Sequence, residues 1–300
     1  MNRNYFNLIA VLVILIIITA CVCRSDRDLG ILEPESSPIA SPTSTNSVEN
    51  IEPLTKNSSD NDKNKKEDKG DFKVEHIAVK NPRYLEIDRQ IKEKKDLEKA
   101  ADRLNQALIL PNDITLRTKD CGEVNAFYDS NDQSVTVCYE LMEHFHKVFK
   151  SDGDSDQKAD DNMFDAVRFV FLHEIGHALI DTYNLPITGN EEDAADRCSS
   201  FINLEELGDD GVRAVLAAAD AFRIESKGSS LKKRDLSDEH LLQEQRSFNA
   251  LCMTYGSDST KHAYIVNDGY LPKARAERCP SEYGRTARSW SELLAPWRKG

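Results

Sequence analysis

The sequence predicts an α+β domain, mostly helical with one small sheet, behind a signal segment and a disordered tether. Three observations predict it. Apolar residues recur at helical spacing in most segments beyond Tyr84. Strand-like patterning is confined to a short window between Ile114 and Cys138. Before Gly70 an apolar run gives way to a polar stretch that cannot bury enough surface to offset chain entropy.

The N-terminus comes first. Arg3 gives a positive start, and Leu8 to Ala20 (LIAVLVILIIITA) is an apolar run of signal-peptide length. Ile18-Thr19-Ala20-Cys21 resembles the bacterial lipobox, in which the cysteine is lipidated and becomes the new N-terminus. Residues 1–20 are therefore expected to be a lipoprotein-type signal peptide. A plain cleaved signal is one alternative. An uncleaved anchor is the other, since Tyr5 to Val22 carries no charge. Each exports the rest of the chain. The expected location is the cell membrane or outer membrane, lipid-anchored through Cys21, with the domain facing the periplasm or exterior.

Residues 21–71 read as a disordered linker. SSPIASPTSTNS and KNSSDNDKNKKEDKG have almost no apolar content. Residues 72–300 form the folded domain, ample for one hydrophobic core. The formal net charge is −13, which argues against nucleic acid as a partner. Five cysteines fall in the domain, and an exported chain meets an oxidising environment. Cys121 with Cys138 and Cys252 with Cys279 are the expected disulfide pairs, each close in sequence. Sequence alone does not fix connectivity.

Tyr84 to Leu110 reads as one amphipathic helix ended by Pro111. Ile114 to Arg117 is a strand. Val124 to Tyr128 and Ser134 to Cys138 are two strands around a turn of Asp, Ser and Asn. Tyr139 to Phe149 is a short helix. SDGDSDQKADD reads as a solvated loop; its alternating acids lack the EF-hand's glycine and terminal glutamate. Asn162 to Tyr183 is the most apolar helix of the mature chain, stopped at Asn184-Leu185-Pro186. Helices follow at Glu191 to Leu207, Gly211 to Ser226, Asp238 to Tyr255 (capped by Ser237) and Pro280 to Leu294. KGSSLKKRD is a flexible basic loop.

The apolar helix contains FVFLHEIGHALID, Phe169 to Asp181. Polar side chains are least tolerated in such a segment. His173 and His177 are four apart, so they share one helix face and can share one metal ion. Glu174 sits beside them, within reach of a water held there. This is the H-E-x-x-H arrangement of two ligands and a general base. A catalytic site needs a third protein ligand and an open fourth position. Glu192 can fold back to be that ligand, with Glu191 and Asp193 as fallbacks. Asp196, one turn beyond Glu192, can accept from the far nitrogen of a ligand histidine. Cys198 is a rival, because cysteine would close a structural site.

HEIGH followed by E-x-x-A-D (Glu192, Ala195, Asp196) resembles the gluzincin metallopeptidases. CGEVNAFYDS, VTVCYEL, EEDAAD, DEHLLQEQRSFNALCMTYGSD and ERCPSEYGRTARSW resemble, more narrowly, a bacterial family of uncharacterised, metallopeptidase-like domains. The resemblance spans Leu108 to Trp297. It implies a zincin-like fold, a Zn2+ cofactor and a peptide or protein substrate. It implies a hydrolase in which His173, His177 and Glu192 hold zinc, Glu174 is the base and Asp196 orients a histidine. In gluzincins a histidine or tyrosine outside the zinc helix steadies the oxyanion, so His240 and Tyr255 are candidate catalytic residues, with Tyr139 behind them. The strand ending VTVC is expected along the cleft, open to an extended substrate. Two alternatives stand: an inactive zinc-stabilised binding or regulatory module of the cell envelope, and hydrolysis of a non-peptide amide.

Overall fold

The computed structural model describes residues 66–227 and 236–299. The signal segment, Cys21, the tether as far as residue 65 and most of the KGSSLKKRD loop lie outside the described residues. Among the described residues, no helix is long and apolar enough to cross a membrane.

The architecture is α+β, mostly helical, with one four-stranded sheet. Its strands are β1 (Phe72–His76), β2 (Ile114–Lys119), β3 (Ala126–Asp129) and β4 (Ser134–Cys138). They lie in the order β1-β2-β4-β3. β1 and β4 pair parallel to β2, and β3 pairs antiparallel to β4. β1 was absent from the sequence reading. Its apolar signal is only Phe72 and Val74, beside a lysine- and aspartate-rich tether. Asn105 secures it, accepting from the Phe72 N–H at 2.7 Å and donating to the Phe72 carbonyl at 3.0 Å.

The expected helix from Tyr84 to Leu110 is two helices, α1 (Leu85–Lys94) and α2 (Asp96–Ala107). Lys95 breaks it, with φ 55° and ψ 46°. In one unbroken helix Ile91 and Leu97 would face about 120° apart. The left-handed break lets both enter the core.

α3 (Tyr139–Ser151) leads into α4 (Asp156–Tyr183), which starts earlier than the periodicity predicts. The Ser155 hydroxyl caps it, accepting from the Lys158 N–H at 3.3 Å. The loop is thus shorter than expected, and its acids meet cations: Asp152 with Arg223 and Lys227, Asp154 with Lys158, Asp156 with Lys150. Left-handed Asn184 ends α4. α4 is apolar around most of its girth because α3, α5 (Glu191–Glu206), α6 (Gly208–Ser226) and β3–β4 all pack on it.

α7 (Gln243–Ser257) begins later than expected, and Ser237 does not cap it. Asp238 instead bonds its own local backbone, accepting from the His240 N–H at 2.9 Å. Short helices α8 (Tyr264–Asn267) and α9 (Lys273–Ala276) precede α10 (Cys279–Leu294). Both expected disulfides are present. Cys121–Cys138 ties the β2–β3 loop to β4, and Cys252–Cys279 ties α7 to α10.

Candidate metal centre

α4 presents His173 and His177 to the N-terminal turn of α5. Their Nε2 atoms lie 3.1 Å apart. Glu192 Oε2 stands 3.1 Å from the first and 3.4 Å from the second. One donor atom from each residue lies within 4.8 Å of the others.

Two features produce this convergence. The Asn190 side chain caps α5, accepting from the Asp193 N–H at 3.2 Å, which fixes the turn carrying Glu192. Gly176 lets the helices approach: a Cβ there would meet Ala195 Cα and Cys198 Cβ at 3.1 Å.

The outer ring nitrogens are also engaged. His173 Nδ1 is 2.8 Å from Asp196 Oδ1, and His177 Nδ1 is 2.8 Å from Glu191 Oε1. Those carboxylates favour the tautomers that leave both Nε2 lone pairs facing Glu192. Arg246 grips Asp196 from behind and lies 4.2 Å from the centroid of the Phe222 ring. Two imidazole nitrogens and a carboxylate oxygen, open on one side to a cavity, fit a tetrahedral divalent metal.

The electrostatics agree. Burial opposes charge on His173, yet bonds to Asp196 and Glu192 carry its pKa up to about 9. Burial likewise opposes charge on His177, and Glu192 and Glu191 raise its pKa. Burial disfavours ionised Glu192, but His173, His177 and His240 hold it well below the usual carboxylate range. Asp196 is half-buried, and although desolvation opposes its charge, the Arg246 charge with the His173 bond brings its pKa down. Glu174 moves the other way: it is buried and lines the cavity, and desolvation raises its pKa.

The other expected residues divide. His240 is brought to the site. Its Nε2 is 2.9 Å from Glu192 Oε2, and its ring stacks on His173 at 5.9 Å between centroids. Tyr255 is not brought there; it packs among Cys252, Met253 and Ile265. Tyr139 is fully buried, its hydroxyl bonded to Thr118 and Asp88. Cys198 packs in the core behind Gly176, where burial pushes its thiol up, and does not join the ligand cluster. Asp193 accepts from Arg197 and lies on a different cavity wall. Cys121, Cys138 and Glu140 also gather, but the two sulfurs are bonded to each other.

The expected cleft strand is different. β4 is buried between β2 and β3. β3 occupies the sheet edge, and Ala126, Phe127 and Tyr128 line the cavity. Tyr128 donates to Asp181 Oδ2 at 2.7 Å, joining β3 to α4. Sequence reasoning missed Arg246, Tyr128 and Asp181. Asp181 follows His177 by four, so its helix face could have flagged it. Arg246 had no such signal, since only the docking of α7 brings it in.

A family model, DUF4344, described as “Putative metallopeptidase”, matches residues 77–294. No curated protein matches, and no solved structure matches.

Proposed function

Because this chain belongs to that metallopeptidase family, we propose that it is a zinc-dependent peptidase, tethered to a membrane through lipid on Cys21 and acting outside the cytoplasm. The observation that carries the catalytic reading is buried Glu174 on the cavity wall beside the His173–His177–Glu192 cluster. A structural metal site has no need of such a base.

His173, His177 and Glu192 would hold the zinc, which supplies Lewis-acid polarisation of the scissile carbonyl and lowers the pKa of water. Asp196, itself gripped by Arg246, fixes the His173 ring. Glu174 takes the proton of the attacking water and hands it to the leaving amine. Its desolvated position strengthens its hold on that proton. His240 donates from Nε2 toward the developing oxyanion at the cavity lip. The outer edge of β3, on the cavity wall beside Glu174, accepts an extended peptide backbone.

The test is metal content of the purified full chain beside Glu192→Ala and Glu174→Gln. Near-stoichiometric zinc in the wild type and in Glu174→Gln, with a large loss in Glu192→Ala, supports the site. Peptide hydrolysis must then vanish in Glu174→Gln. A wild type that takes up no zinc when zinc is supplied sinks the reading. For the anchor, Cys21→Ser should move the chain from the membrane fraction to the soluble fraction.

A further inference from the structure

We infer that the cleft selects cationic polypeptide segments, with Asp181, Glu191 and Glu239 as its specificity-determining residues. This rests on the peptidase reading and names its substrate class.

The argument is a charge balance over the cavity wall. The cavity, of ≈ 970 Å³, is lined by Glu174, Asp181, Glu191, Glu192 and Glu239, and by no lysine or arginine among its described lining residues. A divalent ion held by His173, His177 and Glu192 would balance Glu192 and Glu174. Arg246, behind the wall, balances Asp196. Asp181, Glu191 and Glu239 remain.

What bonds those three does not neutralise them. Asp181 accepts from the uncharged Tyr128 hydroxyl. Glu191 accepts from His177 Nδ1, and a neutral ligand histidine offers no compensating charge. The Glu239 side chain is exposed, and its backbone carbonyl accepts from Asn190 Nδ2 at 2.7 Å. Lys119 lies over the Phe127 ring and is not among the lining residues.

The three flank the metal ligands from two sides. Asp181 lies one turn beyond His177, next to the edge strand. Glu191 and Glu239 stand at the α5 and His240 end. A concave site whose wall carries carboxylates and imidazoles, with no lysine or arginine among its described lining residues, focuses a negative field and concentrates cationic ligands once its histidines are neutral ligands. A peptide laid along β3 would carry its side chains past both ends. Lysine or arginine there meets a carboxylate, whereas aspartate or glutamate meets repulsion.

Binding is measured separately from cleavage, so the two readings can fail separately. The probes are two fluorescent peptides of equal length, one lysine-rich and one glutamate-rich. They are titrated into the zinc-loaded full chain carrying Glu174→Gln, at low and at high salt. The lysine peptide should bind at least about tenfold tighter at low salt, and salt should shrink the gap. Adding Asp181→Asn and Glu239→Gln should remove most of the gap while circular dichroism and zinc content stay unchanged. Equal affinities, a preference for the glutamate peptide, or a gap untouched by both substitutions would overturn the inference. Failure of the wild type to cut either peptide would instead count against the peptidase reading, and the binding comparison would still decide this one.

Discussion

Arg246 meets Asp196 with two hydrogen bonds, Nε to Oδ2 and Nη2 to Oδ1, both 2.8 Å. Asp196 in turn takes His173 Nδ1 at the same distance. Arg246 is therefore two contacts from the ligand His173 without touching the cluster itself. Removing it leaves Asp196 as an uncompensated, largely buried charge. Arg246→Ala should cost about 3–5 kcal/mol of stability, read by chemical denaturation. Asp196→Asn should spare more of the fold but weaken metal binding by about 10–100-fold. Unchanged metal affinity in Asp196→Asn would remove Asp196 from the ligand-holding role.

Metal uptake should be strongly pH-dependent. In the metal-free chain, His173 has a pKa of about 9, above its ordinary 6.5. A metal must displace that proton, so affinity should rise with pH toward about 9 and level off above it. The slope below that point should be about tenfold per pH unit for this one proton. The metal-free fold shows the opposite sign. The raised pKa contributes stability that is complete below 6.5 and lost as pH rises through about 9. Chelator competition and thermal melts across this range measure the two trends. A flat affinity profile would contradict the first.

Gly176→Ala sets two effects against each other. Alanine in a helix interior is favoured over glycine by about 1 kcal/mol. The new methyl group, however, meets the α5 backbone at 3.1 Å, so α5 must shift outward by tenths of an ångström. The melting temperature should change little, because the two effects offset. Metal affinity should fall several-fold, because Glu192 and Asp196 ride on the displaced helix. Unaltered affinity would show that α5 absorbs the methyl without moving its first turn.

The disulfides should matter unequally. Cys121–Cys138 spans 17 residues and Cys252–Cys279 spans 27. By loop-closure entropy each contributes about 3 kcal/mol, the longer slightly more. Paired Cys→Ala substitutions, followed by denaturant unfolding, test the ranking. The second pair should also loosen the Asp196 contact, since it anchors the helix that carries Arg246.

Much of this was legible in the sequence, and the gaps share a cause. His173, Glu174 and His177 follow from helix periodicity alone, and Glu192 and Asp196 repeat the same four-residue step. The structure brings the imidazoles and carboxylates together as that spacing implies. Contacts made by docking separate elements were not legible. Arg246 comes from α7, and Tyr128 belongs to an edge strand whose position depends on pairing order. The strand ending VTVC is expected along the cleft, yet as β4 it is enclosed on both sides, because pairing order is not written in a strand's own residues. Boundaries shifted where a side chain competed for the backbone. Asp238 delayed the start of α7, and Ser155 advanced that of α4.

The edge position of β3 also bears on solubility. An unpaired strand edge is a template on which a neighbouring chain can crystallise its own hydrogen-bond ladder. Here that template is four residues long and ends at Asp129. It lies against a cavity whose carboxylates repel a second copy of a chain with net charge −13. The strand edge on the cavity wall is thereby kept from becoming a site of polymerisation.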